Sequence, residues 1–318
     1  MVYIDEDFIN FNTDFSELTN LLNEAFAQAS IEVPLRQHHE FANPQTKEKS
    51  VLLLMPAWHP GEDAGVKLVT VNPNNNQKNL PSIQGVYVYL DAQTGEVKAV
   101  ISAAALTAKR TAAASALASG YLSKPDATSL LMIGTGALSS NLIRAHVAVR
   151  PIDQVFVWGR NLDKARDICH QFSNAPYSVK AVATIEEKIG RADIISCATL
   201  SNLPLVCGQY LRSGQHLDLV GSYKKDMREA DSAAISRSSL FVDSYQGALK
   251  EAGDLIIPLE EGLIDKDDIR ADLFDLCGNK KQERVNENEI TLFKSVGHAL
   301  EDLVAAGYYF RKFNKPTK

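Results

Sequence analysis

The chain has 318 residues, 45% of them hydrophobic, and a formal net charge of −6. That length allows two domains of about 100–200 residues each, and the composition is that of an ordinary folded chain. The acidic balance gives no attraction to nucleic acid or to an anionic membrane, and no run of about 18 apolar residues exists to span a bilayer. The opening MVYIDEDFINF is acidic, so no secretory signal is expected. Cys169, Cys197, Cys207 and Cys277 lie scattered without Cys-x-x-Cys spacing, and read as reduced, mostly buried thiols of a cytoplasmic protein.

Asp14 and Glu17 resemble a capping box, and Phe15, Leu18, Leu22 and Phe26 follow at helical spacing, which predicts an amphipathic helix. Strand-like runs come next at residues 51–55, 66–71, 84–90 and 96–101, the last two joined by a hairpin turn at 91–95. The first hundred residues therefore read as a mostly antiparallel sheet with a helix against it. From Ser102 the chain turns alanine-rich and helix-favouring as far as Leu122. Strand and helix patterns then alternate, with strands at 130–133, 155–158, 179–182, 193–197, 216–220 and 240–242. This predicts an α/β fold with a parallel, doubly wound sheet of Rossmann type. Residues 286–313 carry Leu292, Val296, Leu300, Leu303 and Ala306 on one helical face, which predicts a long closing helix.

Residues 129–160 hold the most specific pattern. An apolar strand enters a tight turn with Gly134 and Gly136, a helix pattern follows, and a second apolar strand ends at Gly159 and Arg160. In this order the turn is a dinucleotide-binding fingerprint: Gly134 permits the turn and Gly136 the approach of a pyrophosphate. The amides of the turn and helix start, at Gly134, Gly136, Ala137 and Leu138, would hold its charge. Ser139 takes the third glycine position as a small variant. An acid at the end of the second strand would mark NAD(H). Here Arg160 stands there, followed by Asn161 and Lys164, and a guanidinium suits a 2′-phosphate. NADP(H) is the preferred cofactor on this reading, with NAD(H) as the other option.

Outside the turn the candidates are basic. Arg36 follows Val33-Pro34, Lys67 sits inside an apolar strand, and Arg110 sits inside the alanine-rich helix. Buried charge needs a partner, so these are either three separate structural ion pairs or a set that binds a carboxylate. The histidines show no metal-binding spacing: His38 and His39 are adjacent and would point to opposite faces of a strand. No Gly-x-Ser-x-Gly motif supports nucleophilic catalysis. Asp226 and Asp231, in the charged stretch after Val220-Gly221-Ser222-Tyr223, read equally as helix caps or catalytic groups.

Together these segments resemble the ornithine cyclodeaminase/mu-crystallin family. The resemblance is carried by Leu106-Thr-Ala-Lys-Arg-Thr-Ala-Ala-Ala-Ser115, Gly134-Thr-Gly136, Val220-Gly221-Ser222, Ala248-Leu-Lys-Glu-Ala-Gly-Asp254, Phe293-Lys-Ser-Val-Gly297 and Glu301-Asp302. It implies a homodimer whose substrate-binding and dimerisation domain is residues 1–115 with 298–318, beside a nucleotide-binding domain at 116–297. It further implies that Arg36, Lys67 and Arg110 hold a substrate carboxylate. Cofactor contacts are implied at Ser82, Thr111, Asn161, Thr199, Leu200, Val220, Ser295 and Val296.

One position departs from the deaminating members and the related alanine dehydrogenases, which carry Asp two residues after the Val-Gly pair. This chain has Tyr223. Release of ammonia needs a group that takes the amine proton, and a phenol titrating near about 10 is a poor base at neutral pH. The pattern resembles the imine-reducing branch instead. It implies reduction of a small cyclic imino acid, Δ1-pyrroline-2-carboxylate to proline or Δ1-piperideine-2-carboxylate to pipecolate, with Lys67 as proton donor. The competing readings are an ornithine or lysine cyclodeaminase, an alanine-type dehydrogenase, and a non-catalytic NADPH-dependent binding protein.

Overall fold

Runs rich in Val, Leu and Tyr between residues 49 and 102 build the first sheet, because branched and aromatic side chains suit a pleated surface. The structure is a computed structural model that describes residues 1–44, 47–281 and 283–315. Its contacts divide the chain into two units. Residues 1–14, 28–110 and 299 onward form the first, and residues 15–27 and 111–298 the second.

In the first unit β1 (Val2–Ile4), β2 (Gln37–Ala42), β3 (Lys49–His59), β4 (Asp63–Val71), β5 (Ile83–Asp91) and β6 (Val97–Ser102) form one sheet in the order β1-β6-β5-β4-β3-β2. β1 pairs parallel with β6, and the other pairs are antiparallel. Met55, Lys67, Tyr87 and Ile101 stand in register across four strands, and Ala57, Gly65, Tyr89 and Ala99 form the next row. All eight are buried, so Lys67 lies on the core face of its sheet.

The second unit is a sheet of eight parallel strands: β7 (Ser129–Ile133), β8 (Gln154–Trp158), β9 (Ser178–Ala181), β10 (Ile194–Cys197), β11 (His216–Leu219), β12 (Ser239–Val242), β13 (Ile269–Asp272) and β14 (Thr291–Lys294). Their order is β13-β12-β14-β11-β10-β7-β8-β9, so the direction of winding reverses between β7 and β10. That reversal is where open α/β sheets take ligands, outside the carboxyl ends of the strands.

The helices are, in chain order, α1 (Glu6–Phe11), α2 (Phe15–Gln28), α3 (Ala103–Leu122), α4 (Ser139–Val149), α5 (Leu162–His170) and α6 (Glu186–Ile189). They continue with α7 (Ser232–Ser236), α8 (Tyr245–Glu251), α9 (Gly253–Glu260), α10 (Leu273–Cys277) and α11 (Ala299–Phe313). α11 packs on β3, β4 and β5 of its own unit, where Phe310 meets the Tyr89 ring at 5.3 Å between centroids. Its first turn carries Glu301 and Asp302, where negative charge suits the helix dipole. In the second unit α3 and α4 are fastened to the sheet by buried Asp218 on β11. Its carboxylate accepts from Ser115 (2.8 Å) and Ser196 (2.7 Å) and contacts His146 Nε2 at 3.2 Å.

The structure departs from the sequence-based expectations in two places. Residues 286–313 are not one helix: Thr291–Lys294 is a wholly buried strand, Leu292 belongs to it, and Val296 lies in the loop that follows. Only Leu300, Leu303 and Ala306 of the expected face lie on α11. A short apolar run fits strand and helix alike, and here the space between β11 and β12 decides. The helix read at residues 15–26 groups with the second unit rather than with the antiparallel sheet, its Phe26 meeting Phe274 at 4.9 Å. By contacts the chain parts at 110/111, inside α3, and at 298/299, beside the 115/116 and 297/298 divisions expected from sequence. Edge strands β1 and β2 gave no periodic signal, since all six β2 residues are exposed, His38 and His39 among them.

Candidate functional site

A lone lysine in an apolar strand must find an acid, because burying an unpaired charge costs several kcal/mol. Lys67 Nζ lies 2.8 Å from Asp302 Oδ2 and 2.9 Å from Oδ1. Arg110 reaches the same acid, its Nε donating to Asp302 Oδ1 at 2.9 Å and its Nη1 to Glu301 Oε2 at 2.6 Å. All four side chains are buried. Lys67 and Arg110 are therefore one cluster and not separate ion pairs. Burial, then Arg110, pull the Lys67 pKa down to about 8; Asp302 pulls it upward, and Arg36 adds to the lowering. Burial opposes the charge on Arg110, but Asp302 and Glu301 more than reverse that and raise its pKa. Burial likewise opposes ionisation of Asp302, while Arg110 and Lys67 hold it below the usual carboxylate range.

Arg36 is close enough to add to the lowering of the Lys67 pKa, so Arg36, Lys67 and Arg110 share one neighbourhood with Glu301 and Asp302. Tyr87, beside Lys67 in the register, has a buried hydroxyl without a hydrogen-bond partner among the described residues. A cavity of about 330 Å³ also opens in this unit, lined by Phe41, Ser50, Asn72 and Asn74. It lies toward the end of β3 and β4 where Val51 pairs Val71, and holds none of the candidate residues.

In the second unit the candidates fall at strand ends. Gly134 follows β7, Arg160 β8, Thr199 and Leu200 β10, Val220 β11, and Ser295 and Val296 β14. Thr111 is the exception, buried within α3. Ser82 belongs to the first unit, where its hydroxyl lies 3.5 Å from the Pro73 carbonyl. The turn fits a dinucleotide. Gly134 has φ +124°, and a Cβ there would lie 2.5 Å from the Ala198 carbonyl, so only glycine lets β7 and β10 meet. The space over Gly136 is open, Ala137 beside it is exposed, and Leu138, at the N-cap of α4, gives no side-chain cap. A helix start left so is suited to a phosphate.

Arg160 and Lys164 are exposed at the end of β8 and on α5. Asn161 caps α5, its Oδ1 accepting from the amides of Asp163 and Lys164. Ser295 and Val296 are fixed by Asp243 Oδ2, which accepts from the Ser295 hydroxyl and the amides of Val296 and Gly297. Asp231 is a helix cap, accepting from the Ala234 amide of α7 at 2.7 Å, whereas Asp226 is exposed in a turn. Tyr223 is half-buried, with Lys224 Nζ 5.8 Å from its ring centre.

The sequence profile of the ornithine cyclodeaminase/mu-crystallin family matches residues 5–315. The chain belongs to that family. Within it, the chain is 39% identical to a Δ1-pyrroline-2-carboxylate reductase of Colwellia psychrerythraea over 309 residues, which covers 96% of this chain and 97% of that protein. Among solved structures it resembles the Thermococcus litoralis Δ1-pyrroline-2-carboxylate reductase in complex with NADH and L-proline, with a TM-score of 0.91 and 33% identity over 98% of this chain and 97% of that one. It also resembles an archaeal alanine dehydrogenase dimer with bound NAD, with a TM-score of 0.88 and 25% identity over 97% and 94% of the two chains. No helix among the described residues is long and apolar enough to cross a membrane.

Charge in an apolar context picked out Lys67 and Arg110. The same signal marks Lys294 inside Leu292-Phe293-Lys294 and Asp254 before Leu255-Ile256, both wholly buried; both lie in segments that carry the family resemblance, but sequence alone assigns neither a role. Glu229 gave no such signal, because the residues around it are charged.

Proposed function

We propose that the chain is a Δ1-pyrroline-2-carboxylate reductase that forms L-proline, with Δ1-piperideine-2-carboxylate as a second substrate. The observation that carries this reading is Lys67, buried between Asp302 and Arg110 with its pKa drawn down to about 8. Arg36 and Arg110 hold the substrate carboxylate by matching its charge, and Arg110 is itself held rigid by Glu301 and Asp302. Lys67, mostly an ammonium at neutral pH, donates a proton from Nζ to the ring nitrogen. Asp302 aims that ammonium and keeps it charged. When bound, the dihydronicotinamide supplies the hydride that saturates the carbon of the C=N bond. The C=N bond becomes a C–N single bond, and the nitrogen keeps the proton from Lys67.

The turn residues Gly134, Gly136, Ala137 and Leu138 hold the pyrophosphate of the cofactor. Arg160 and Lys164 favour NADP(H) by facing a 2′-phosphate, with NAD(H) as the lesser partner. Ser82, Thr111, Asn161, Thr199, Leu200, Val220, Ser295 and Val296 are the further cofactor contacts. The enzyme acts as a homodimer in the cytoplasm. Tyr223 argues against deamination, since no carboxylate stands at that position.

The test is a spectrophotometric assay of NADPH and NADH oxidation with five- and six-membered ketimine carboxylates. Turnover with the five-membered ring is expected, faster with NADPH. Ammonia release from ornithine or alanine, with no ketimine reduction, would overturn the reading.

A further inference from the structure

One buried acid ties together the ends of neighbouring strands in the parallel sheet. Glu229 lies between β11 and α7 and is wholly buried. Its Oε1 accepts from the Thr199 amide at 2.6 Å and the Thr199 hydroxyl at 3.0 Å, just beyond β10. Its Oε2 accepts from the Gly221 amide at 2.7 Å and the Ser222 amide at 3.4 Å, just beyond β11. Asp254, at the start of α9, holds Glu229 in turn: its Oδ1 accepts from the amides of Glu229 and Ala230 at 2.7 and 3.0 Å. Its Oδ2 pairs at 3.1 Å with Nζ of Lys294, the last residue of β14, which also stands 4.0 Å from Glu229. A Cβ on Gly221 would fall 2.0 Å from the Thr199 carbonyl and 2.6 Å from Glu229 Oε1. The two loops thus close around the carboxylate with no room for a side chain.

The chemistry of the donors explains why an acid is needed. Each oxygen of Glu229 faces amides from a different strand end, and only an ionised carboxylate accepts on both sides. An amide side chain would accept from one loop and turn an N–H against the other. The loops so joined carry Thr199, Leu200 and Val220, while Lys294 leads directly into Ser295 and Val296. We propose that Glu229 is a positioning residue for the nicotinamide dinucleotide, fixing the spacing of the β10 and β11 end loops by accepting hydrogen bonds from both. The proposal rests on the dinucleotide reading of these strand ends.

Burial pushes the Glu229 carboxyl up, Lys294 pulls it down and Asp254 pushes it up again, leaving it at about 7. The groups that face it are Lys294 from β14, Asp254 from α9 and Cys197 from β10, whose thiol is pushed well up, first by burial and then by Glu229. As pH falls through about 7, a proton on one oxygen puts an O–H against a backbone N–H, and one loop loses its acceptor. NADH is the right probe, because it lacks the 2′-phosphate that would titrate in the same range.

The dissociation constant of the full-length protein for NADH, read by nucleotide fluorescence, is expected to rise about tenfold between about pH 8 and about pH 6. Glu229→Gln should show the weaker value at both, without the pH dependence. Amide hydrogen exchange on the nucleotide-free protein gives a second readout. In Glu229→Gln, Thr199 or Gly221 should exchange faster while β7 and β8 keep their protection. Flat binding with pH in the unsubstituted protein, or a variant matching it in affinity and protection, overturns the proposal. If the variant does not fold, the pH series on the unsubstituted protein decides alone. No NADH binding at any pH would overturn the dinucleotide reading instead, and amide exchange would still judge Glu229.

Discussion

Each unit buries a lysine against carboxylates, and the two clusters differ in what remains. In the first, Lys67 and Arg110 bond Asp302 and Glu301 from side chain to side chain. In the second, Glu229 and Asp254 outnumber Lys294, and the carboxylate oxygens are taken up largely by backbone amides. In the first, cations and carboxylates meet directly and tune one another's protonation. The surplus negative charge of the second is distributed over loop amides and holds shape. The same residue types can therefore equip a site for chemistry or fix the frame around it, and the partners decide which.

The two clusters part most clearly at Lys67. Lys67→Met should lower kcat by about 10²–10⁴-fold, the range for a lost general acid, while NADPH binding measured by fluorescence stays unchanged. Normal turnover would make Lys67 a structural residue like Lys294. A sharper division comes from removing one partner in each cluster and following pH. Asp302→Asn takes the opposing charge from Lys67, so its pKa drops below about 8. The high-pH limb of kcat/KM, where the ammonium is lost, should then move to lower pH. Leaving Lys67 and Arg110 short of an acid should also cost about 3–5 kcal/mol in urea unfolding. Lys294→Met removes the charge that lowers Glu229. Its pKa rises, and the weakening of NADH binding should begin at higher pH. Displacements in the same direction would erase the distinction between the clusters. The smallest effect belongs to an exposed charge outside both. Arg160→Asp should shift the NADPH-to-NADH preference by about tenfold toward NADH, read as the ratio of kcat/KM values. An unchanged ratio would remove Arg160 from 2′-phosphate recognition.

The legible parts of the fold were those whose own residues decide their structure. β7 and β8 are apolar runs bounded by a glycine turn, and α2 carries Phe15, Leu18, Leu22 and Phe26 on one buried face. β14 was illegible because Leu-Phe followed by Leu300 and Leu303 also satisfies a helical period. Its strand state is imposed by β11 and β12 on either side. β2 lacks a buried face and so had no pattern to show. For the site, Lys67 and Arg110 declared themselves as charges in apolar surroundings. Asp302 as their common partner did not, because α11 meets β4 only once the chain has folded. Glu229 was hidden for the same reason, its partners lying just beyond β10 and β11 and its support coming from α9 and β14.

The position of β14 between β11 and β12 also has a consequence in time. Strands formed earlier cannot complete the parallel sheet among themselves. Before residues 291–294 take their place, the sheet exists as two strand sets, β9-β8-β7-β10-β11 and β12-β13, each with an unpaired edge open to stray strands. Joining them requires Leu292 to pair with Leu217 on one side and Leu240 on the other, long-range contacts of the kind that form slowly. The sheet that begins with β7 at residue 129 therefore cannot close until β14 at residues 291–294 is available. The strand that closes it is also the one that delivers Lys294, Ser295 and Val296, so assembly of the domain and completion of its ligand-binding end are a single late event.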